Sequence, residues 1–389
     1  MIIGIDGSRL AGQRTGTEFY SRHVIAALID QARAAGHGVW VYVREPVSMA
    51  VLPDKVIHIQ QRRLWTHIGL AREVAQRPPD ALFIPAHVLP LPCAWRKQPR
   101  TIVTIHDVGY RHFPDAHPLL QRLYLELGTA FTARFADALI VDSQATQRDV
   151  AQFYGVATDK MTVAPLGLVP VPDVTAHEVR QVRAKFNLPA DGPYILHIGT
   201  RQPRKNLRRL MEALAMMLSA GCEALGEMRP TLVLAGGAGW GGEDLPAQAQ
   251  RLGIADWVRF TGYVSDVEKA VLLRGAAVYA CPSLYEGFGL PVLEAQSVGV
   301  PVVCSNTSSL PEVSGAASAA GAASAGLPAG PGAILFDPEQ VGEIVQALRR
   351  VLTNSTVCAQ LVAAGYKNVA RFSWERCAAQ ILAVIERQF

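Results

Sequence analysis

Two glutamates stand eight residues apart around a glycine-rich turn in the second half of the chain. Glu286 precedes the turn at residues 287–289. Glu294 follows about one turn into a predicted helix, because Pro291 is typical of a first-turn position. Backbone N–H groups at such a turn, together with the helix dipole, form an anion site that suits phosphate. The carboxylates could accept hydrogen bonds from sugar or ribose hydroxyls, although a surface glutamate pair around an ordinary loop fits the spacing equally well.

A pair of adjacent cations, Arg204 and Lys205, follows a predicted strand in the stretch GTRQPRKN. Arginine can hold phosphate by a bidentate fork and lysine acts as a point charge, so the pair could neutralise a nucleotide diphosphate. The alternative is a solvated basic helix start. This alternative is disfavoured because cations near a helix N-terminus are mildly unfavourable without an anion to bind.

The first half of the chain carries two further candidates. Gly16 and the N–H of Thr17 lie in the stretch GQRTGTEFY, where a loop runs from the first predicted strand into a helix and could approach phosphate or an acceptor. His106 and Asp107 end the apolar stretch RTIVTIHD, at the carboxyl end of a strand, where doubly wound folds bind ligands. The alternatives are a plain left-handed turn at Gly16 and a hydrogen-bonded structural histidine.

One glycine motif suggests a different ligand. Gly237, Gly239 and Gly242 spell G-x-G-x-x-G after the strand-like stretch TLVLAGG, as in dinucleotide-binding sites. The next predicted strand, WVRFTG, ends without the Asp or Glu that would bind a ribose, and the motif does not follow a first strand. We therefore do not expect a dinucleotide here.

These candidates fall at the ends of short apolar runs that alternate with stretches of helical period, the pattern of βαβ units in a parallel sheet. About six such runs precede a Pro-rich linker near residues 165–174, and about six follow it. The predicted fold is α/β, with two Rossmann-like doubly wound domains, 1–168 and 175–370, facing a cleft. Residues 371–389 are predicted to form an amphipathic helix that crosses to the N-terminal domain.

Composition narrows the class of protein. Half of the 389 residues are hydrophobic and 18% are charged, which favours large buried cores. The net charge of +4 is mild for this length, so nucleic acid is not expected as a partner. The cysteines are scattered, and the chain shows neither a signal-like N-terminus nor a long apolar run. These features predict a cytoplasmic chain whose membrane contact, if it has one, is peripheral.

The low-complexity stretch from Ser314 to Gly332 is predicted to be mostly a flexible surface insertion.

Several motifs in one order resemble glycosyltransferase family 4, the retaining enzymes of the GT-B fold. The stretch EGFGLPVLEA matches the donor-site signature of that family, in which two glutamates enclose seven residues. Further matches are YILHIGTRQPRKNLRRLMEAL, LVLAGGAGWGGEDL, VRFTGYVSD and SNTSSLPEV in the second half, and GTEFYSRHV, TIHDVGYRHFPDAH and VDSQATQRDV in the first. The resemblance covers nearly the whole chain.

The resemblance implies a metal-independent hexosyltransferase of the mannose or glucose type, which transfers a sugar from a GDP- or UDP-linked donor. Its acceptor would be a saccharide or a polyprenyl-linked saccharide, at the inner face of the membrane, with no cofactor beyond the nucleotide-sugar. The alternatives are an epimerase or phosphorylase of the same fold and a noncatalytic nucleotide-sugar-binding protein. The implied catalytic residues are His106, against the transferred sugar, with Arg204, Lys205 and Glu286. The implied donor-binding residues are Gly16, Thr17, Gly199, Thr200, Arg204, Lys205, Glu286, Gly287, Phe288, Gly289, Leu290 and Glu294.

Overall fold

A computed structural model describes residues 1–11, 16–61, 63–86, 88–95, 99–114, 118–189, 192–219, 228–239, 244–316 and 332–389. The chain divides into two compact units. The first unit comprises Met1–Arg111, Pro118–Gly167 and Phe372–Phe389, and the second comprises His112–His117 and Leu168–Arg371. The first unit is therefore assembled from segments that lie on both sides of the second in the sequence.

The first unit is built on a seven-stranded sheet with the order β3-β2-β1-β4-β5-β6-β7. All pairings between its described strands are parallel. The apolar strands β4 and β6 are buried along their whole length, as expected for the interior of a parallel sheet. The strands are β1 Ile2–Asp6, β2 Gly38–Val43, β3 Lys55–His58, β4 Ala81–Ile84, β5 Arg100–Ile105, β6 Ala138–Val141 and β7 Met161–Val163.

The second unit is built on a six-stranded sheet with the order β10-β9-β8-β11-β12-β13, and its described pairings are also parallel. The prediction of an α/β fold with two doubly wound parallel sheets is confirmed. The strands are β8 Tyr194–Ile198, β9 Thr231–Ala235, β10 Val258–Gly262, β11 Val278–Cys281, β12 Val302–Ser305 and β13 Ile334–Phe336.

Helices connect the strands in both units. Those of the first unit and its boundary are α1 Gly16–Ala34, α2 Ala71–Gln76, α3 Gly109–His112, α4 Leu119–Phe135, α5 Gln144–Tyr154 and α14 Trp374–Glu386. Those of the second unit are α6 Ala176–Lys185, α7 Leu207–Ser219, α8 Leu245–Arg251, α9 Asp266–Arg274, α10 Leu290–Ser297, α11 Leu310–Val313, α12 Val341–Thr353 and α13 Ser355–Val369. Within the described ranges, no helix combines the length and the apolar content needed to cross a bilayer.

The helix α14 packs against α1 inside the first unit. Its apolar side chains recur at helical spacing and are buried, whereas Glu375, Gln380 and Glu386 are exposed. Gln31 of α1 donates a hydrogen bond from Nε2 to the Glu375 carbonyl oxygen at 2.5 Å. The buried side chains of α14 are Trp374, Cys377, Ala378, Ile381, Leu382, Val384 and Ile385.

Gly167, the last residue of the segment that leaves the first unit, lies against the start of α14. A Cβ atom at Gly167 would be 2.2 Å from the backbone nitrogen of Trp374 and 2.6 Å from the carbonyl carbon of Ser373. Backbone atoms cannot move aside as a flexible side chain can. The close approach of these two segments therefore requires glycine at this position.

The two described ends of the low-complexity stretch are held together by one buried side chain. Gln296 of α10 donates hydrogen bonds from Nε2 to the carbonyl oxygens of Ser314 at 2.8 Å and Gly332 at 2.9 Å. Its Oε1 accepts a hydrogen bond from Asn368 at 2.8 Å. Ser314 and Gly332, at the two ends, are therefore buried and held in place, whereas most of the stretch was predicted to be a flexible surface insertion. Residues 317–331, on which most of that prediction falls, lie outside the described residues.

We expect that residues 317–331 can be replaced by a short Gly-Ser linker with little loss of stability. The ends already meet, because the Gly332 nitrogen donates to the Gly315 carbonyl oxygen at 3.3 Å, and each halving of loop length changes the closure free energy by only about 0.6 kcal/mol. Urea unfolding should give a midpoint close to that of the unmodified protein. As a control, Gln296→Ala should be clearly destabilising, since it leaves buried carbonyl groups unpaired. A large loss of stability on shortening would show that the stretch packs on the fold.

Candidate functional site

The second sheet reverses its strand order between β8 and β11. Doubly wound folds bind ligands at such a reversal, beyond the carboxyl ends of the strands. The loop after β8 contains residues 199–206, and the loop after β11 contains residues 282–289. The basic pair and the first glutamate identified in the sequence therefore lie on neighbouring loops at the expected edge.

Hydrogen bonds join these two loops. The Leu284 nitrogen donates to the Arg204 carbonyl oxygen at 2.8 Å. Asn206 donates from Nδ2 to the carbonyl oxygens of Pro282 at 3.1 Å and Pro338 at 2.7 Å. Its backbone is left-handed, with φ of 56°, a conformation that asparagine tolerates better than most residues. No role was predicted for Asn206. Its position directly before the predicted helix is the local feature that could have indicated one.

Glu286 forms ion pairs with both cations of the basic pair. Its Oε1 accepts hydrogen bonds from Lys205 Nζ and from Ser283 Oγ, the latter at 2.6 Å, and its Oε2 accepts from Arg204 Nη1 at 3.0 Å. The residue is only 8% exposed. We call Arg204, Lys205 and Glu286 the clamp. The sequence placed the cations on phosphate and the glutamate on sugar hydroxyls, and did not foresee that the three would pair with one another.

The clamp keeps Glu286 ionised. Burial alone would raise the pKa of this carboxyl, but the nearby charges of Lys205 and Arg204, with the hydrogen bonds from Lys205 and Ser283, lower it to about 2. A buried carboxylate held in this way fixes two cations in place through charge-assisted hydrogen bonds. The net charge of the three side chains is positive, which suits an anion.

The low pKa of Glu286 predicts an acid-sensitive contribution to stability. Since the folded-state pKa is about 2 and the ordinary value is 4.5, the contribution is complete above pH 4.5 and is lost as pH falls toward 2. It should amount to roughly 3 kcal/mol. Urea unfolding of the second unit between pH 2.5 and 5 should show a steep slope that Glu286→Gln removes. The exposed control Glu339→Gln should keep the slope, and equal slopes for all three proteins would contradict the assignment.

Hydroxyl groups from the loop after β12 hold the glycine-rich turn in shape. Ser308, which has a left-handed φ of 50°, accepts a hydrogen bond at Oγ from the Glu286 nitrogen at 2.9 Å. Ser309 donates from Oγ to the carbonyl oxygens of Glu286 at 2.9 Å and Phe288 at 2.7 Å. These hydrogen bonds hold the backbone of the turn at residues 287–289 in place, so that it is pre-organised for a ligand.

The turn leads directly into α10, as the sequence predicted. Gly289 precedes the helix with a φ of 108°, Leu290 begins it, and Pro291 stands in its first turn. Glu294 lies one turn further on, where its Oε1 accepts a hydrogen bond from Lys269 Nζ of α9 at 2.7 Å. The predicted contact of Glu294 with ribose or sugar hydroxyls stays a prediction, and its pairing with Lys269 was not predicted.

Gly199 and Thr200 follow β8 and pack against the loop after β9. The Gly199 nitrogen donates to the Ala235 carbonyl oxygen at 2.8 Å. A Cβ atom at Gly236, which has a φ of 140°, would lie 2.1 Å from the Gly199 carbonyl oxygen. The two loops can therefore approach this closely only because the second has glycine there.

The same contact accounts for the dinucleotide-like glycines. The Arg201 nitrogen donates to the Gly237 carbonyl oxygen at 3.0 Å, and the Gly239 nitrogen donates to the Arg201 carbonyl oxygen at 3.2 Å. A Cβ atom at Gly239 would lie 2.6 Å from that carbonyl oxygen. Gly239 is thus required by the close packing of the loops, Gly237 takes part only through its backbone, and Gly242 lies outside the described residues.

His106 lies at the carboxyl end of β5 in the first unit, with both ring nitrogens in polar contact. Nδ1 is 2.8 Å from Asp142 Oδ2, and Nε2 donates to the Pro85 carbonyl oxygen at 2.9 Å. Burial lowers the pKa of His106, but the charge and hydrogen bond of Asp142 outweigh it and raise the pKa above its ordinary value. The ring thus shows the hydrogen bonding of the structural alternative, and its role against a sugar stays a prediction.

Gly16 and Thr17 begin α1 in the first unit, and the Thr17 carbonyl oxygen accepts a hydrogen bond from Ser21 Oγ at 2.8 Å. Residues 12–15, which precede them, lie outside the described residues, so the loop part of this prediction is untested.

Of the predicted site residues, the structure brings together Gly199, Arg204, Lys205 and Glu286 in the second unit. In the part of the chain that the structure describes, no three His, Cys, Asp or Glu side chains form a metal-binding group.

Comparison with known proteins identifies the family of the chain. The Glycosyl transferases group 1 family matches residues 178–368, and the Glycosyltransferase Family 4 matches residues 21–170. The O-antigen chain mannosyltransferase B of Escherichia coli is 33% identical over 285 residues, which are 73% of this chain and 69% of that protein. The serotype-specific mannosyltransferase WbdA of Escherichia coli is 28% identical over 85% of this chain, which spans only 40% of that protein.

Among solved structures, HepE of Anabaena in complex with UDP and glucose superposes with a TM-score of 0.73 at 19% identity and covers 100% of both chains. This likeness shows that the two proteins share a fold. The two family matches together span both units, and the 33% identical relative covers 73% of this chain. These matches show the family as well as the fold. The chain belongs to glycosyltransferase family 4 and is a glycosyltransferase.

Proposed function

We propose that this glycosyltransferase is a retaining hexosyltransferase that moves mannose or glucose from a GDP- or UDP-linked donor to a saccharide or polyprenyl-linked saccharide. The observation that carries the proposal is the clamp, in which one buried carboxylate gathers Arg204 and Lys205 where the second sheet reverses its order. A nucleotide diphosphate supplies the negative charge that these cations and the amides before α10 can neutralise. Similarity to mannosyltransferases favours mannose.

In the proposed reaction, the acceptor hydroxyl attacks the anomeric carbon on the face from which the diphosphate departs. The leaving phosphate takes the hydroxyl proton, so the new bond keeps the configuration of the old one. Negative charge grows on the diphosphate as its bond to the sugar breaks, and Arg204 and Lys205 stabilise that charge. Glu286 orients both cations, and Glu294 holds a hydroxyl of the donor.

A donor screen tests the proposal. Thermal unfolding is measured with UDP-, GDP-, ADP- and TDP-sugars, because a ligand at 100 times its dissociation constant adds about 2.7 kcal/mol of stability. The donor that stabilises the protein is then incubated with saccharide acceptors, and the anomeric configuration of the product is read by NMR. Transfer with retention is the expected result.

Other products would identify the alternatives. An isomerised donor would indicate an epimerase, and release of a sugar phosphate in the presence of inorganic phosphate would indicate a phosphorylase. Tight donor binding with neither transfer nor slow hydrolysis would indicate a noncatalytic binding protein. Inversion at the anomeric carbon would overturn the retaining mechanism alone.

We further propose that transfer needs no divalent metal, because Arg204, Lys205 and helix-end amides supply the positive charge and the sequence contains no D-x-D motif. Full activity is therefore expected after treatment with EDTA. Activity is measured with and without chelator and again after addition of Mg²⁺ or Mn²⁺. Loss of transfer on chelation that either metal restores would contradict this reading of the clamp.

Peripheral membrane contact is proposed for the first unit, at the inner face of the membrane. The helix α4 exposes large apolar side chains along one stripe, with Leu120 at 81% and Leu127 at 69% exposure. Tyr124 and Arg122 lie on the same helix, and such residues suit the headgroup region of a bilayer. The other exposed apolar residues of this stripe are Leu119 and Leu123.

Sedimentation with anionic vesicles tests this contact. The protein is expected to bind vesicles that contain phosphatidylglycerol, and the double variant Leu120→Glu/Leu127→Glu should lose binding while keeping donor binding. A matched control places glutamate on the second unit at the exposed Met216. Equal binding by the double variant and the control would remove α4 from the proposed contact.

A further inference from the structure

His197 of β8 is buried beside the clamp, and within the described ranges one of its ring nitrogens makes no hydrogen bond. The residue is 1% exposed, and its Nδ1 lies 3.0 Å from the Ala280 carbonyl oxygen on β11. Because a carbonyl oxygen can only accept, the ring proton lies on Nδ1 and Nε2 presents a lone pair. Nε2 is buried and unpaired among the described residues. Buried acceptors are rarely left unpaired without a reason.

The unpaired nitrogen and the lysine of the clamp face the same small space over Gly199. A Cβ atom at Gly199 would lie 3.2 Å from His197 Nε2, 3.5 Å from Lys205 Cε and 3.8 Å from Lys205 Nζ. The histidine nitrogen and the ammonium group therefore both lie within 4 Å of the position that a side chain at Gly199 would occupy. An acceptor and a donor placed in this way are complementary.

The surroundings keep the ring of His197 neutral. Burial and, to a smaller extent, the charge of Lys205 lower its pKa to about 4, and the Ala280 hydrogen bond and the charge of Glu286 oppose these effects only in part. The ring of Tyr279 lies nearly parallel to the imidazole, with centroids 6.3 Å apart. At neutral pH the imidazole is thus an uncharged hydrogen-bond acceptor.

We propose that His197 is a positioning residue for Lys205, whose ammonium donates one N–H to Nε2 when it contacts the diphosphate of the donor. The inference rests on the proposed function. Lysine carries three N–H donors. Glu286 takes one, His197 takes a second, and the third is thereby aimed at phosphate. A neutral acceptor orients the ammonium without cancelling the charge that the phosphate needs, as a second carboxylate would.

A double-mutant cycle with GDP and UDP tests the coupling by calorimetry. His197→Phe keeps a ring but removes the acceptor and should weaken binding of the preferred nucleotide about tenfold. His197→Gln, which can place an oxygen where Nε2 lies, should recover most of that loss. In the Lys205→Ala background, His197→Phe should have no further effect, because its partner is already gone. Equal losses in both backgrounds would overturn the proposal, since a purely structural role is additive.

Two more outcomes separate a failure of this proposal from a failure of the proposed function. If His197→Phe weakens binding of the nucleotide-sugar but not of free GDP or UDP, the partner of Nε2 is a sugar hydroxyl and the proposal is wrong. If Lys205→Ala itself leaves nucleotide binding unchanged, the proposed function of the clamp fails instead.

Imidazole NMR tests the proximity of Lys205 to His197 without any nucleotide. The signal of His197, assigned by its loss in His197→Phe, should show the Nδ1–H tautomer. Its titration midpoint should rise in Lys205→Ala, because a neighbouring cation has been removed. The matched variant Lys185→Ala, which removes a lysine that is 60% exposed, should leave the midpoint unchanged. A midpoint that Lys205→Ala does not move would overturn the proposal whatever the donor is.

Discussion

Replacing Lys205 with alanine should lower kcat of glycosyl transfer by about 10²- to 10³-fold. The substitution removes a cation from the leaving diphosphate, where negative charge grows in the transition state, so the loss should appear chiefly in kcat. Free nucleotide should also bind less tightly, because its phosphates carry charge in the ground state. Steady-state kinetics with the preferred donor and calorimetry with free nucleotide measure the two effects separately.

Lys185→Ala is the matched control for this experiment. It removes the same side chain from α6, where Lys185 is 60% exposed and pairs with Glu268. Unchanged kinetics are expected for the control, since an exposed ion pair contributes little. Wild-type kcat and nucleotide affinity in Lys205→Ala would remove the lysine from the site and return the basic pair to a structural role.

Gly167→Ala should destabilise the first unit by about 3 kcal/mol. The added methyl group would meet the backbone of Ser373 and Trp374, at 2.6 Å and 2.2 Å, so relief requires the start of α14 to move away from the segment that ends at Gly167. Such a shift disturbs the buried face of α14. Urea unfolding followed by tryptophan fluorescence should show an earlier transition for the first unit.

Gly342→Ala controls for the chemistry of the change. Gly342 lies on the exposed side of α12, no atom lies within 4 Å of the place that an added methyl carbon would take, and its φ is not left-handed. Alanine there should stabilise α12 by about 0.5–1 kcal/mol. If Gly167→Ala lowered the free energy of unfolding no more than this control does, the close approach of Gly167 to the start of α14 would be contradicted.

The sheets were predictable because parallel strands leave a local signature. Buried parallel strands are continuous apolar runs, and each ends in turn residues that can be recognised without knowledge of the partner strand. The exception is β7, Met161–Val163, which is too short to show any period and lies directly before the Pro-rich linker. Its place at the edge of the sheet is fixed by pairing with β6, which no local pattern encodes.

The candidate site was predictable in its residue types but not in its pairings. Lys205, Glu286 and the start of α10 were identified from spacing because glycine-rich turns and helix starts are local features. The ion pairs of Glu286 with Lys205 and of Glu294 with Lys269 join different elements, so no local pattern indicates them. The hydrogen bonds from Ser309 were missed for the same reason, since a serine in a loop has no distinctive pattern.

The position of α14 has a consequence for the order in which the two units are completed during translation. The helix follows the whole of the second unit in the chain, yet it packs against α1 in the first unit. At about 5–20 residues per second, the ribosome needs on the order of 10–40 s to add the intervening residues. The first unit to emerge is therefore the last to be finished. Throughout that interval, Phe19 and Tyr20 of α1 lack their ring contacts with Trp374 of α14, which leaves apolar surface that a chaperone could bind.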